Sequence, residues 1–200
     1  MADQMQVGPQ VLQDGVVQNI RGNKDGSIVT QFRGGAYMEA VYRGGVFSAA
    51  NAAGIAATAG LSATSTVFTL YNPATSKVNL VLLEVTIVPS GANFGGIWLV
   101  ANNTVGQAAP ATNTSLTIRN NLVGGGSPAA GVGLVYSTTT LAATPVVIRN
   151  LGYFVSAAGV GLIRDLTDGL VIVAPGSYIS VQAATAITLQ AGMVWEEIPV

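Results

Sequence analysis

Residues 169–200 read GLVIVAPGSYISVQAATAITLQAGMVWEEIPV, a run with no charge before Glu196 and Glu197. Leu170, Val171, Ile172 and Val173 form an apolar, mostly β-branched segment. It stops at Ala174-Pro175-Gly176-Ser177, where proline presets φ and glycine admits φ > 0. Over 178–183, Tyr178, Ser180 and Gln182 alternate with Ile179, Val181 and Ala183, the period of two that marks a half-buried strand. Ile187 and Leu189 repeat the alternation, Gly192 punctuates it, and 193–198 supplies a last strand that Pro199 ends. An apolar sheet face has to be covered, and no helical pattern lies nearby to cover it. The stretch therefore predicts a sheet packed on a second sheet, or on another copy of the chain.

The rest of the composition agrees. Half of the 200 residues are hydrophobic and 8% are charged, where soluble domains carry roughly a quarter charged. The longest apolar stretch, 80–88, is too short to cross a bilayer as a helix and holds Glu84. No membrane partner is expected, and no signal peptide either, because Asp3, Gln4 and Gln6 precede no apolar region. The surplus apolar surface is expected in contacts between subunits. A net charge of −1 without a basic run gives nucleic acid no direct foothold. The chain has neither Cys nor His. That excludes disulfides and thiol chemistry, and removes the commonest general base and the commonest metal ligand.

Charge marks a boundary. Residues 1–43 hold Asp3, Asp14, Arg21, Lys24, Asp25, Arg33, Glu39 and Arg43, about half of all charges. Strands over 16–20 and 27–32 around Arg-Gly-Asn-Lys-Asp-Gly suggest a hairpin, and 37–42 another short strand. With few large apolar residues, 1–45 is expected to be an extended arm; edge strands laid on the main domain are the alternative. Residues 46–66, rich in Ala, Ser, Thr and Gly, are expected as a linker. From 67 to 200 the pattern is strand and turn, about eight to ten strands, with segments at 67–71, 77–88, 97–101, 115–119, 134–136, 145–149 and 153–156 before the final stretch. In 77–88 the apolar set Val81, Leu83, Val85 and Ile87 is the expected core face. The fold class is all-β, a jelly-roll-like β-sandwich preceded by an extended N-terminal arm.

Chemical constellations are sparse. Gly124-Gly125-Gly126 lacks the Lys-Ser/Thr and helix of a phosphate loop and reads as a loop tip. Asp165 and Asp168 beside Gly169 could contribute oxygens to calcium, but the alternating ligand pattern is missing. An Asp-Gly turn with a local Arg–Asp pair, Arg164 with an aspartate of this cluster, is the expectation. Glu196 and Glu197 point to opposite faces of a strand, so they cannot flank one bond; one is expected in solvent and the other against an Arg across a subunit boundary. Glu84 is expected to pair with Arg119 or Arg149. Trp98, Trp195 and the tyrosines are dispersed as core or interface residues, with a sugar platform as the alternative. No catalytic, cofactor-binding or metal-binding residue is assigned, no cofactor is expected, and nothing supports an enzyme.

The run VVQNIRGNKDGSIVTQF followed by GGAYMEAVYRGGVFSAANAAG resembles the start of small structural proteins of tailed bacteriophages. The matching positions are Tyr37, Glu39, Ala40, Arg43, Gly44, Val46, Phe47, Ser48 and Ala49, and the likeness covers about 20–60. Beyond that stretch it is compositional. The resemblance implies a virion component: a capsid cement or decoration protein with a jelly-roll body. Such a protein acts as a trimer on the outer surface of the shell and clamps neighbouring major capsid proteins through its arm. Arg21, Lys24, Arg33 and Arg43 are the arm's candidates for polar contacts with the shell. A tail, baseplate or fibre component binding a host glycan through loops such as 124–131 is the alternative.

Overall fold

The computed structural model describes residues 10–11, 17–18, 37–65, 67–90, 95–102, 104, 108–124, 131–154 and 161–200. Its contacts divide the chain into two units, Met1–Met38 and Glu39–Val200. In the first, β1 (Gln10–Val11) pairs antiparallel with β2 (Val17–Gln18), Gln10 opposite Gln18. The strand expected over 16–20 is present in part, with a partner upstream of it. The expected partner at 27–32 lies outside the described residues, as do Arg21, Lys24 and Arg33.

The segment 37–42, expected as a strand, is instead a short helix, α1 (Met38–Tyr42). Its end explains the difference. Gly44, at φ +73°, donates to the Val41 carbonyl at 2.9 Å, and Gly45 donates to that of Ala40 at 3.0 Å. That bonding pattern closes a helix on a left-handed glycine and satisfies its last carbonyls. Glu39 and Arg43, one turn apart, are bridged at 2.8 Å. Glycine after a four-residue spacing of opposite charges outweighed the β-propensity of the tyrosines.

Among the described residues, thirteen strands follow. They are β3 (Val46–Ala50), β4 (Ile55–Ala56), β5 (Thr64–Ser65), β6 (Phe68–Tyr71), β7 (Val78–Ser90) and β8 (Gly95–Ala101), then β9 (Ala111–Ser115), β10 (Arg119–Asn120) and β11 (Leu134–Thr140), and finally β12 (Val146–Phe154), β13 (Ile163–Val173), β14 (Tyr178–Ala183) and β15 (Thr188–Pro199). One sheet runs β10-β3-β15-β7-β13, with β4 also on β15; the other runs β12-β8-β14-β6-β11-β5, with β9 also on β11. The pairings nest: β3 with β15, β6 with β14, β7 with β13, and β8 with β12. First strand with last, second with seventh, third with sixth and fourth with fifth is the winding of a jelly roll. The strands β9, β10 and β11 are an insertion between its fourth and fifth members. The expected all-β sandwich is what the chain forms. Among the described residues, no helix is long and apolar enough to cross a membrane.

The stretch 46–66, expected as a linker, supplies β3, β4 and β5 to both sheets. Val46 and Phe47 decide this: both are buried, and Phe47 stacks on Trp195 with ring centroids 6.3 Å apart. Trp195, Leu80, Leu82, Val85, Ile87 and Met193 from one sheet meet Phe68, Leu70, Ile97, Leu99, Ile179 and Val181 from the other. Each such side chain contributes about 1.5–3 kcal/mol relative to exposure.

Half of the expected core face of β7 is reversed. Val85 and Ile87 point inward, but so do Leu80 and Leu82, which have the opposite parity. Leu83 is skipped in both ladders: Val194 faces Glu84 and Trp195 faces Leu82 on β15, while Leu166 faces Glu84 and Val171 faces Leu82 on β13. One unpaired residue flips the faces on either side of it. Opposite the bulge, β13 carries Thr167, Asp168, Gly169 and Leu170 outside the pairing. Asp168 (φ 45°) and Gly169 (φ 83°) turn the chain there, and Thr167 Oγ1 donates to the Leu82 carbonyl at 2.6 Å.

A candidate interaction surface along two sheet edges

Edge strands present main-chain donors and acceptors to their open side, so proteins keep edges short, polar or covered. At one end of each sheet that rule holds. There β10 and β5 have two residues each, and β9 is Ala-Thr-Asn-Thr-Ser. At the other ends lie β12 and β13, nine and eleven residues long.

These two edges adjoin. Arg149 of β12 grips Asp165 of β13 with both arms, Nε to Oδ2 at 2.7 Å and Nη2 to Oδ1 at 2.9 Å. Around that clasp the strands are apolar and exposed. Val146, Val147 and Ile148 are outward in succession, where a regular strand would turn every second one inward. The register shifts at Ile148 and again at Leu151, so β12 keeps Leu151 against the core and releases its first three residues from strict alternation. On β13, Val171 and Val173 face in while Leu170 (78% exposed) and Ile172 (58%) face out, with Leu166 beyond the bulge. Tyr153 and Leu162 extend the apolar surface at the far end. A groove of about 480 Å³ lies where Ile148, Leu170 and Ile172 meet, with Asn102 and Tyr178 in its wall. Burial pushes the Tyr178 phenol up to about 12.

Two charge pairs on this side are closed within the chain. Besides Arg149–Asp165, Arg164 forks onto Glu84, Nε to Oε1 at 2.9 Å and Nη2 to Oε2 at 2.8 Å. Glu84 therefore pairs with neither Arg119 nor Arg149, and Arg164 does not pair with Asp165. Adjacent residues on β13 point to opposite faces, so each finds its counter-ion on a different strand. The Asp168-Gly169 turn exists, but as a bulge inside β13 rather than a loop between strands. Asp165 is occupied by Arg149, and among the described residues no group of acidic side chains could hold a metal ion.

Within its own chain, Glu197 meets main-chain groups. Its carboxylate accepts from the main-chain N–H of Val132 at 2.8 Å and of Gly133 at 2.9 Å, and from Trp195 Nε1 at 3.3 Å. It pins the chain entering β11. Trp195 lies in the core, as expected, and Tyr71, Tyr136 and Tyr178 cluster with Leu141 in a second buried group. Gly124 adopts φ 77°, and 125–130 lie outside the described residues. Arg43 closes α1 on Glu39.

No family model, curated protein or solved structure matches the chain. Fold and surface together define a jelly-roll sandwich with one long, apolar side that carries two closed ion pairs. The pattern at 170–173 does not reveal that side, because an apolar run fits an exposed edge strand as well as a buried one. The available signal was Val146-Val147-Ile148, three bulky residues in a row on a strand with no helix to cover both faces.

Proposed function

We propose that this chain is a structural virion protein of a tailed bacteriophage: a capsid cement or decoration protein. It acts without catalysis, as a homotrimer on the outer surface of the shell, and clamps neighbouring major capsid proteins, with residues 1–45 as the tying arm. The observation that carries the reading is the side formed by β12 and β13, which is too long and apolar for an edge meant to face water. The jelly roll supports it by analogy alone, since that fold serves viral capsids, lectins and cupins alike. The phage assignment rests on the resemblance over about 20–60. Stabilisation would come from apolar burial at roughly 25 cal/mol per Å², repeated over many copies so that weak contacts add.

Particles lacking this protein should lose heat and pressure resistance while keeping the shell's geometry. Unchanged particle stability would refute the cement role. Copy number is the second readout: hundreds per particle fit cement, and about a dozen would place the chain in the tail.

A further inference from the structure

We propose that the β12–β13 side is the seat of a second copy of this chain; the inference rests on the assembly reading above and names its contact surface. Three features select that occupant. The first is charge. Arg149 with Asp165 and Arg164 with Glu84 are closed pairs within the chain; the one further charge on the two strands is Asp168, at the β13 bulge. The pairs meet their own duplicate already matched, and a strongly acidic or basic partner would find no open counter-charge in them. The second is shape. The groove of about 480 Å³ beside Leu170 and Ile172 has room for aliphatic side chains. The adjoining Val146 and Val147 of another copy are of that kind and stand outward. The third is the contrast with the opposite edges. There β5 and β10 are two residues long and β9 is polar. With the groove and the outward valines both on this one side, each copy can seat the next around a closed ring such as a trimer, whereas sticky edges on opposite sides would run on into a filament.

The test uses the full chain. Leu170→Asp with Ile172→Asp places two charges on side chains that are already exposed, so the sandwich is expected to fold. Static light scattering should show the wild-type chain associated and the double variant weakened about a hundredfold or more. Val123→Asp, at a position 91% exposed and away from these edges, should associate like wild type. A second measurement needs no disruptive change. The chain has no cysteine, so Leu170→Cys carries one thiol, whose reaction with a maleimide should be slow in the assembly and accelerate on dilution. A double variant that associates like wild type, or a thiol rate independent of concentration, overturns the inference. Particle heat resistance tests the cement role separately. If the double variant dissociates but particles are equally stable without the protein, this contact stands and the cement role fails.

Discussion

Trp195 is fully buried, stacked on Phe47, and donates its indole N–H to Glu197. Trp195→Ala should therefore cost about 3–5 kcal/mol, because the cavity opens between the sheets where neither can close it. Glu197→Gln keeps the volume but turns an amide toward the N–H groups of Val132 and Gly133. A loss of about 1–2 kcal/mol in denaturant unfolding at pH 7 is expected. That Glu196 and Glu197 face apart was legible from the pleat. The partners of Glu197 were not, because they lie 64 and 65 residues upstream and are main-chain groups with no signature. Tyr178 gives a pH signature. Its phenol is pushed up from 10.0 to about 12 by burial. Between those values the unfolded chain loses this proton and the folded chain keeps it, so stability is intact below pH ~10 and falls as pH rises toward ~12. Tyr178→Phe should flatten that part of the fall in Tm.

At the scale of the element, the bulge at Leu83 sets which residues of β7 and β13 face the core. Gly169 sits at its tightest point, at φ +83°, where a Cβ would stand 3.2 Å from Val81 Cγ1. Gly169→Ala should cost about 1 kcal/mol or more, measured by thermal unfolding. Gly60→Ala shares the positive φ but meets nothing within 4 Å, so it isolates the backbone part of that cost. Alternation showed that β7 and β14 were strands, and Pro and Gly showed where turns fell. Alternation cannot show a bulge, because an apolar run such as VLL reads equally well in either parity. The helix after Tyr37 was hidden for a related reason: five residues are too few for a 3.6 period, and its cap is visible only as Gly44-Gly45.

For the whole molecule, low charge and abundant strand are what suggested shared surfaces, and the jelly roll leaves β12 and β13 as its long, exposed edges. Which strands would be edges was not legible, since sheet order depends on pairings as distant as β3 with β15. The association proposed along β12 and β13 would be apolar, with Arg149–Asp165 and Arg164–Glu84 already paired. It should weaken little between about 0.05 and 0.5 M salt, whereas a charge-driven contact would be screened away over that range. Sedimentation equilibrium of the purified 200-residue chain at micromolar concentration tests the central claim most directly. The predicted mass is about three times the 20.2 kDa of one chain. A single species at 20.2 kDa throughout a concentration series would contradict it.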